Sequence, residues 1–136
     1  MNEDAKRVSN YRGLLVWQKS MDLVVTTYQV AKRLPAAELY GLAAQMQRAA
    51  VSVPANIAEG YGRHHLGDYL HHLSVANGSL KELETHLLIA QRLSFLRERD
   101  IEPALTLADE VGRMLRGLAL ALRKKSRTRE DSVANT

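Results

Sequence analysis

Residues 45–63 read Gln45-Met-Gln-Arg-Ala-Ala-Val-Ser-Val-Pro-Ala-Asn-Ile-Ala-Glu-Gly-Tyr-Gly-Arg63, and their spacing decides the fold class. With Leu39 and Leu42 ahead of them, Met46, Ala49, Ala50, Val53 and Ile57 form an apolar stripe at steps of three and four. Gln45, Arg48, Ser52, Asn56 and Glu59 form a polar stripe beside it. Such steps keep each stripe on its own side of an α-helix. The polar stripe holds amides, a hydroxyl, one Arg and one Glu, groups suited to fixed hydrogen bonds. Buried polar groups need partners whether or not they do chemistry. The stripe is therefore read as a structural network that locks helix neighbours or subunits together. Pro54 has no N–H for the Ala50 carbonyl and is expected to bend the helix. Gly60 and Gly62 are expected to end it in a left-handed cap.

The same period continues on both sides of this stretch. Leu14, Trp17, Met21, Val24, Tyr28 and Ala31 set the expected seam of a first helix from Leu14 to Leu34, stopped by Pro35. The second helix then starts near Glu38. Leu66, Tyr69, Leu73, Ala76, Leu80, Leu83, Leu87 and Ala90 set a third helix over residues 66–93. Within it, Ala76, Gly78 and Ser79 are expected to let the Ala-rich second helix approach. Asn77 and Glu84 project near Leu73 and need partners. Asp100 is the expected N-cap of a fourth helix with a seam of Ile101, Ala104, Ala108, Val111, Leu115, Leu118 and Leu122. Leu120 points away from that seam, which argues for a second buried surface and hence an oligomer. Four helices with short links give an all-α, antiparallel up-down-up-down four-helix bundle over residues 11–125. Flexible tails are expected at residues 1–10 and 126–136.

At 136 residues the chain makes one domain, and 46% apolar residues suffice for a core. One Trp and one Phe leave that core to aliphatic side chains. The absence of cysteine excludes disulfides and thiol catalysis and suits a cytoplasmic protein. No apolar run approaches the roughly 20 residues that cross a bilayer. The first residues lack the apolar segment of a signal peptide, so no membrane association is expected. The net charge of +4 is unevenly spread. Between residues 112 and 129 lie Arg113, Arg116, Arg123, Lys124, Lys125, Arg127 and Arg129, with no acid. In an up-down-up-down bundle the end of this segment shares a pole with Arg12, Arg63, His64 and His65. Arg113, Arg116, Arg123, Lys124, Lys125, Arg12 and Arg63 are the candidate nucleic-acid-binding residues, because such a pole attracts phosphate backbones. Without aromatic interleaving, binding there is expected to be electrostatic and salt-sensitive.

Several stretches together carry a resemblance. The run from Gln45 to Gly60 is similar to the signature of the bacterial 23S rRNA intervening-sequence proteins, also called the four-helix-bundle protein family. Leu14-Leu-Val-Trp-Gln-Lys19 resembles that family's opening motif, and Glu38-Leu-Tyr-Gly-Leu42 its second-helix start. Tyr69-Leu70, Ala76-Asn-Gly-Ser-Leu80 and Glu82-Leu-Glu84 resemble its third helix, and Glu110-Val-Gly-Arg-Met-Leu115 its fourth. Gln47 stands where a second basic residue is usual, and Ser94-Phe95 where Gly-Tyr is usual. The resemblance implies a four-helix bundle assembled as a ring-like homopentamer. Similar pentameric bundles include the accessory variability protein of diversity-generating retroelements, which is thought to join a reverse transcriptase and nucleic acid. A nucleic-acid enzyme is accordingly one expected kind of protein partner, beside RNA or DNA.

Chemical motifs are sparse. His64, His65, Asp68, His71 and His72 form the one metal-like constellation, with i, i+4 pairs. It lacks the Glu-x-x-His pairs of di-iron bundles, so no metal or other cofactor is expected. No phosphate-binding glycine loop is present, and Ser52, Ser74 and Ser79 have no evident base and acid partners. Enzyme activity is not expected. His86 sits at the polar edge of the third helix, where solvation or a hydrogen bond accounts for it. Antiparallel pairing brings Arg48 to the level of Glu82 and Glu84, its expected partners, and brings Asn56 and Glu59 to the region of His71 and His72. The structural polar network expected is Gln45, Arg48, Ser52, Asn56, Glu59, Asn77, Glu82 and Glu84. The resulting reading is a non-enzymatic, oligomeric bundle associated with nucleic acid or ribonucleoprotein through its basic pole. A protein-docking scaffold without nucleic-acid binding is the alternative, and metal-dependent activity at His64–His72 ranks last.

Overall fold

Each heptad-like run forms one helix. The computed structural model describes residues 10–134; residues 1–9 and 135–136 of the expected tails lie outside it. Helix α1 spans Leu15–Ala31, α2 Leu42–Tyr61, α3 Leu66–Arg92 and α4 Glu98–Ala134. Each packs on its two neighbours in the cyclic order α1, α2, α3, α4. Cross-helix pairs run in opposite senses along their helices, as antiparallel neighbours must. Ser52 meets Ser79 while Asn56 meets His72, and Lys19 meets Glu110 while Arg33 meets Asp100. The architecture is an all-α, up-down-up-down four-helix bundle.

The core follows the expected seams on three helices. Met46, Ala50, Val53 and Ile57 of α2, Leu80, Leu83 and Leu87 of α3, and Ile101 and Val111 of α4 are fully buried. Leu39, expected in the α2 stripe, lies before the helix and is exposed. Helix α1 keeps part of its expected seam, with Ala31 buried and Leu14, Trp17 and Val24 packed against the core, but is rotated from the rest. Its buried face is Val16, Ser20, Leu23, Thr27 and Val30, while Met21 and Tyr28 are exposed. Two hydroxyls sit on that face because each is satisfied within its own helix. Ser20 Oγ donates to the Trp17 carbonyl at 2.7 Å, and Thr27 Oγ1 to that of Leu23 at 2.8 Å.

Helix ends also differ from expectation in instructive ways. Asn10 accepts from Arg12 N at 2.8 Å and caps a short turn, Tyr11–Gly13, that leads into α1. Residues 36–38 make a separate 3-10 turn, and Gly41 breaks the chain before α2. Glu38 then caps α2 by accepting from Leu42 N at 3.3 Å. Neither Gly60 nor Gly62 adopts a positive φ. Gly60 serves close packing instead, since a Cβ there would lie 2.8 Å from His72 Cβ and 3.0 Å from Tyr69 Cδ1. Gly78, expected to allow such an approach, is exposed with open space around it. Helix α3 ends in a Schellman turn, with Phe95 N bonded to the Ala90 carbonyl, Ser94 N to that of Gln91, and Ser94 at φ 60°. Helix α4 starts at Glu98, so Asp100 is not its N-cap. Asp100 reaches back to accept from Arg97 N at 2.8 Å, the return bond of a capping box. The helix does not stop at Lys125 but runs to Ala134, where a flexible tail was expected.

Candidate functional site

The α2–α3 interface carries a continuous polar seam. Ser79 Oγ donates to Ser52 Oγ at 2.8 Å. Asn56 Nδ2 donates to Ser52 Oγ at 3.0 Å and to the Ser52 carbonyl at 2.8 Å. Asn56 Oδ1 faces His72 Nδ1 at 3.1 Å, and Glu59 lies 3.9 Å from the same nitrogen while pairing with Arg63 at 3.1 Å. Three expected network residues, Ser52, Asn56 and Glu59, are thus joined by His72, from the region anticipated. Ser79, expected to face the second helix only as a small residue, is the hydrogen-bonding partner that sequence reasoning missed. Its signal was its level, opposite Ser52 in an antiparallel pair.

The rest of the expected network is not assembled. Gln45 and Arg48 are exposed. Arg48 does not pair with Glu82 or Glu84. Glu82 faces His86 at 3.4 Å, and Glu84 meets Lys81 at 3.5 Å. Antiparallel pairing sets the height of a residue but not its direction around the helix. His86 is buried and takes the hydrogen-bonded alternative, its Nε2 facing Glu82 Oε1. Among the histidines, His71 is exposed while His72 turns toward α2. Among the described residues no group of three or more His, Asp or Glu side chains converges as a metal site.

The basic residues divide into paired and unpaired. Arg113 lies 3.2 Å from Asp109, and Arg63 is held by Glu59. Arg12 is exposed, its guanidinium 5.9 Å from the Tyr11 ring centre. Arg116, Arg123, Lys124, Lys125, Arg127 and Arg129 are exposed and meet no acid among the described residues. Arg127 and Arg129 were left to the tail in the sequence reading and belong to the helix. Gly112 packs at the level of Asn77 and Leu80. The start of α3 therefore falls near Arg123, and about three turns of α4 run beyond it. Arg116 and Arg123 also line a cleft of about 160 Å³ between α3 and α4, together with Ser74 and Asn77.

The opposite pole is tied down. Asp100 is buried and binds Arg33 Nη1 at 2.8 Å and Arg97 Nε at 3.3 Å. The Arg97 backbone N–H holds the Asp100 carboxyl below the usual carboxylate range. Burial opposes this, and the Arg97 and Arg33 side chains reinforce it. This joins the end of α1 to the start of α4.

The fold and its seam define an antiparallel four-helix bundle with a basic terminal helix. The chain belongs to the 23S rRNA-intervening sequence protein family, whose pattern it matches over residues 12–117. The structure is similar to the crystal structure of a protein with unknown function from the S23 ribosomal protein family of Bacteroides thetaiotaomicron. That protein is 22% identical, with a TM-score of 0.71 over 77% of this chain and 98% of the other. At this identity the likeness shows the fold. No curated protein matches the sequence.

Proposed function

We propose that this chain is a non-enzymatic, oligomeric bundle that associates with nucleic acid or ribonucleoprotein through its basic pole. The observation that carries the reading is the set of cations on α4 from Arg116 to Arg129 that meet no acid among the described residues. Charges already neutralised by neighbours have little left for a ligand, whereas unpaired ones retain their field for phosphates. Arg63 and Arg113, each paired, contribute less. Oligomerisation is supported by apolar side chains left outside the core: Met21, Val25 and Tyr28 on α1 and Leu120 on α4. A pentameric ring, the assembly that the family resemblance implies, brings five such poles to one face. Among the described residues no helix is long and apolar enough to cross a membrane; we read the protein as cytoplasmic.

The test is binding to labelled structured RNA and duplex DNA across a salt series, with the mass in solution recorded alongside. Affinity falls steeply with salt, and the Arg123→Gln/Lys124→Gln/Lys125→Gln variant loses most of it. No binding even at low salt sinks the reading. A second reading, docking of a protein partner, is favoured by one observation: Leu88, Ile89 and Leu93 form an exposed apolar patch on α3, rimmed by Arg92. Capture of RNA unchanged by the triple substitution, or none at all, points there.

A further inference from the structure

The cleft between α3 and α4 combines four features. Its polar lining is Ser74, Asn77, Arg116 and Arg123, set against apolar walls that include Leu73 and Leu115. No acid lines it. Neither arginine is in an ion pair with a described residue. Asn77 Oδ1 is buried without a hydrogen-bond partner, alone in this among the described side chains. A buried amide end left unsatisfied is costly, and as it stands this end is an acceptor that calls for a donor.

Local geometry brings these groups together. Ser74 and Asn77 are three apart on α3, and Arg116 and Arg123 seven apart on α4, so each pair shares a helix face. Gly112 lies close to both Arg116 and Asn77. A Cβ there would stand 3.3 Å from Arg116 Nη1 and 3.9 Å from Asn77 Oδ1. The guanidinium and the amide therefore converge over one glycine. Rotation of the Asn77 amide exchanges its carbonyl and NH₂ ends, which makes the buried end a donor.

We propose that this cleft is a discrete binding site for a single phosphate group. Arg116 and Arg123 supply the charge, and Ser74 and Asn77 the neutral hydrogen bonds. Two guanidinium forks and two neutral donors suit a phosphate group, whose non-bridging oxygens each accept more than one hydrogen bond, in a backbone diester as in a free phosphate. The proposal rests on the nucleic-acid reading only for the source of the phosphate, a backbone diester rather than a free phosphate.

The experiment titrates the full-length protein, isotope-labelled at Asn and Arg side chains, with inorganic phosphate at constant ionic strength. A parallel series uses a single-stranded RNA oligonucleotide. Phosphate is expected to move the Asn77 amide and Arg116 resonances saturably, leaving those of Arg99 at the other pole in place. Arg116→Gln and Arg123→Gln each weaken phosphate binding about tenfold, the loss of one charge-assisted hydrogen bond. Asn77→Leu, compatible with the apolar walls, weakens it while both arginines remain. Arg99→Gln leaves it unchanged. Shifts that never saturate, or that appear equally at Arg99, overturn the site. RNA binding that ignores Arg116→Gln, with no saturable phosphate effect, overturns the site and leaves the nucleic-acid reading standing. Saturable phosphate binding without RNA binding does the reverse.

Discussion

Asn56 bridges two helices through one amide: its Oδ1 lies 3.1 Å from His72 Nδ1 on α3 while its Nδ2 holds Ser52 on α2. Asn56→Ala removes both ends at once and leaves His72 Nδ1 with only the more distant Glu59. The expected cost is about 1–3 kcal/mol, that of stranding partly buried polar groups. Chemical denaturation measures it. A loss below a few tenths of a kcal/mol shows that water replaces the amide and that the seam is not a structural lock.

Gly60 tests why that seam is close. The Cβ of an alanine there meets His72 Cβ at 2.8 Å and the Tyr69 carbonyl at 3.3 Å, atoms that move only with α3 itself. Gly60→Ala is therefore expected to destabilise by about 1–3 kcal/mol despite its better helix propensity. Gly78→Ala, in open space, is expected to stabilise the isolated chain by about 1 kcal/mol. Equal responses of the two variants exclude close approach as the reason for Gly60.

Ser94 closes the Schellman turn after α3 in the left-handed region, at φ 60°. A non-glycine residue there carries a Cβ clash that glycine avoids. Ser94→Gly is expected to raise stability by about 1 kcal/mol, read as an upward shift in the thermal midpoint. A fall in the midpoint means that the serine side chain supplies a compensating contact.

Acid and alkaline limits have separate sources. The Asp100 carboxyl is held low, so its contribution is present above the unfolded-state pKa and is lost as pH falls through the folded one. Asp100→Asn is expected to flatten the acid limb of a stability–pH profile. Tyr69 is pushed up to about 12 by burial and then by Tyr61. Its contribution is intact below the ordinary tyrosine pKa and is lost as pH climbs from there through about 12. Tyr69→Phe is expected to flatten the alkaline limb. A variant whose limb keeps its slope assigns that limb to other groups.

The sequence was most legible where one period ran uninterrupted. Leu73 to Ala90 alternate three and four, and all are buried as that spacing requires. Helix α1 was legible as a helix but not in its facing. Its apolar residues make a stripe wide enough to offer two seams, and Ser20 and Thr27 disguise the one that is used. Only the hydroxyl bonds to Trp17 and Leu23 explain how that face tolerates burial. At the site, the need of Asn77 for a partner was readable, as was the i, i+7 pair Arg116 and Arg123. Their convergence was not, because it depends on Gly112, whose bare backbone has no signature apart from any other helical glycine.

The misplaced seam of α1 has a use in the last prediction. Met21, Val25 and Tyr28 are 40%, 57% and 41% exposed and stand at i, i+4 and i+7. They form one apolar line on a helix whose opposite face already fills the core. A second buried surface accounts for such a line at no cost to the bundle. Met21→Glu/Val25→Glu places two carboxylates in the middle of it. Leu23 and Thr27 keep their places, so helicity is expected to stay unchanged while the mass by light scattering falls to that of one chain. Burying unpaired charge is costly enough to dissociate an interface of ordinary size. If the proposed assembly forms and keeps its mass, α1 is not the contact. Leu120 on α4, with the same double-glutamate logic applied at Leu88 and Ile89, then identifies which remaining apolar face is.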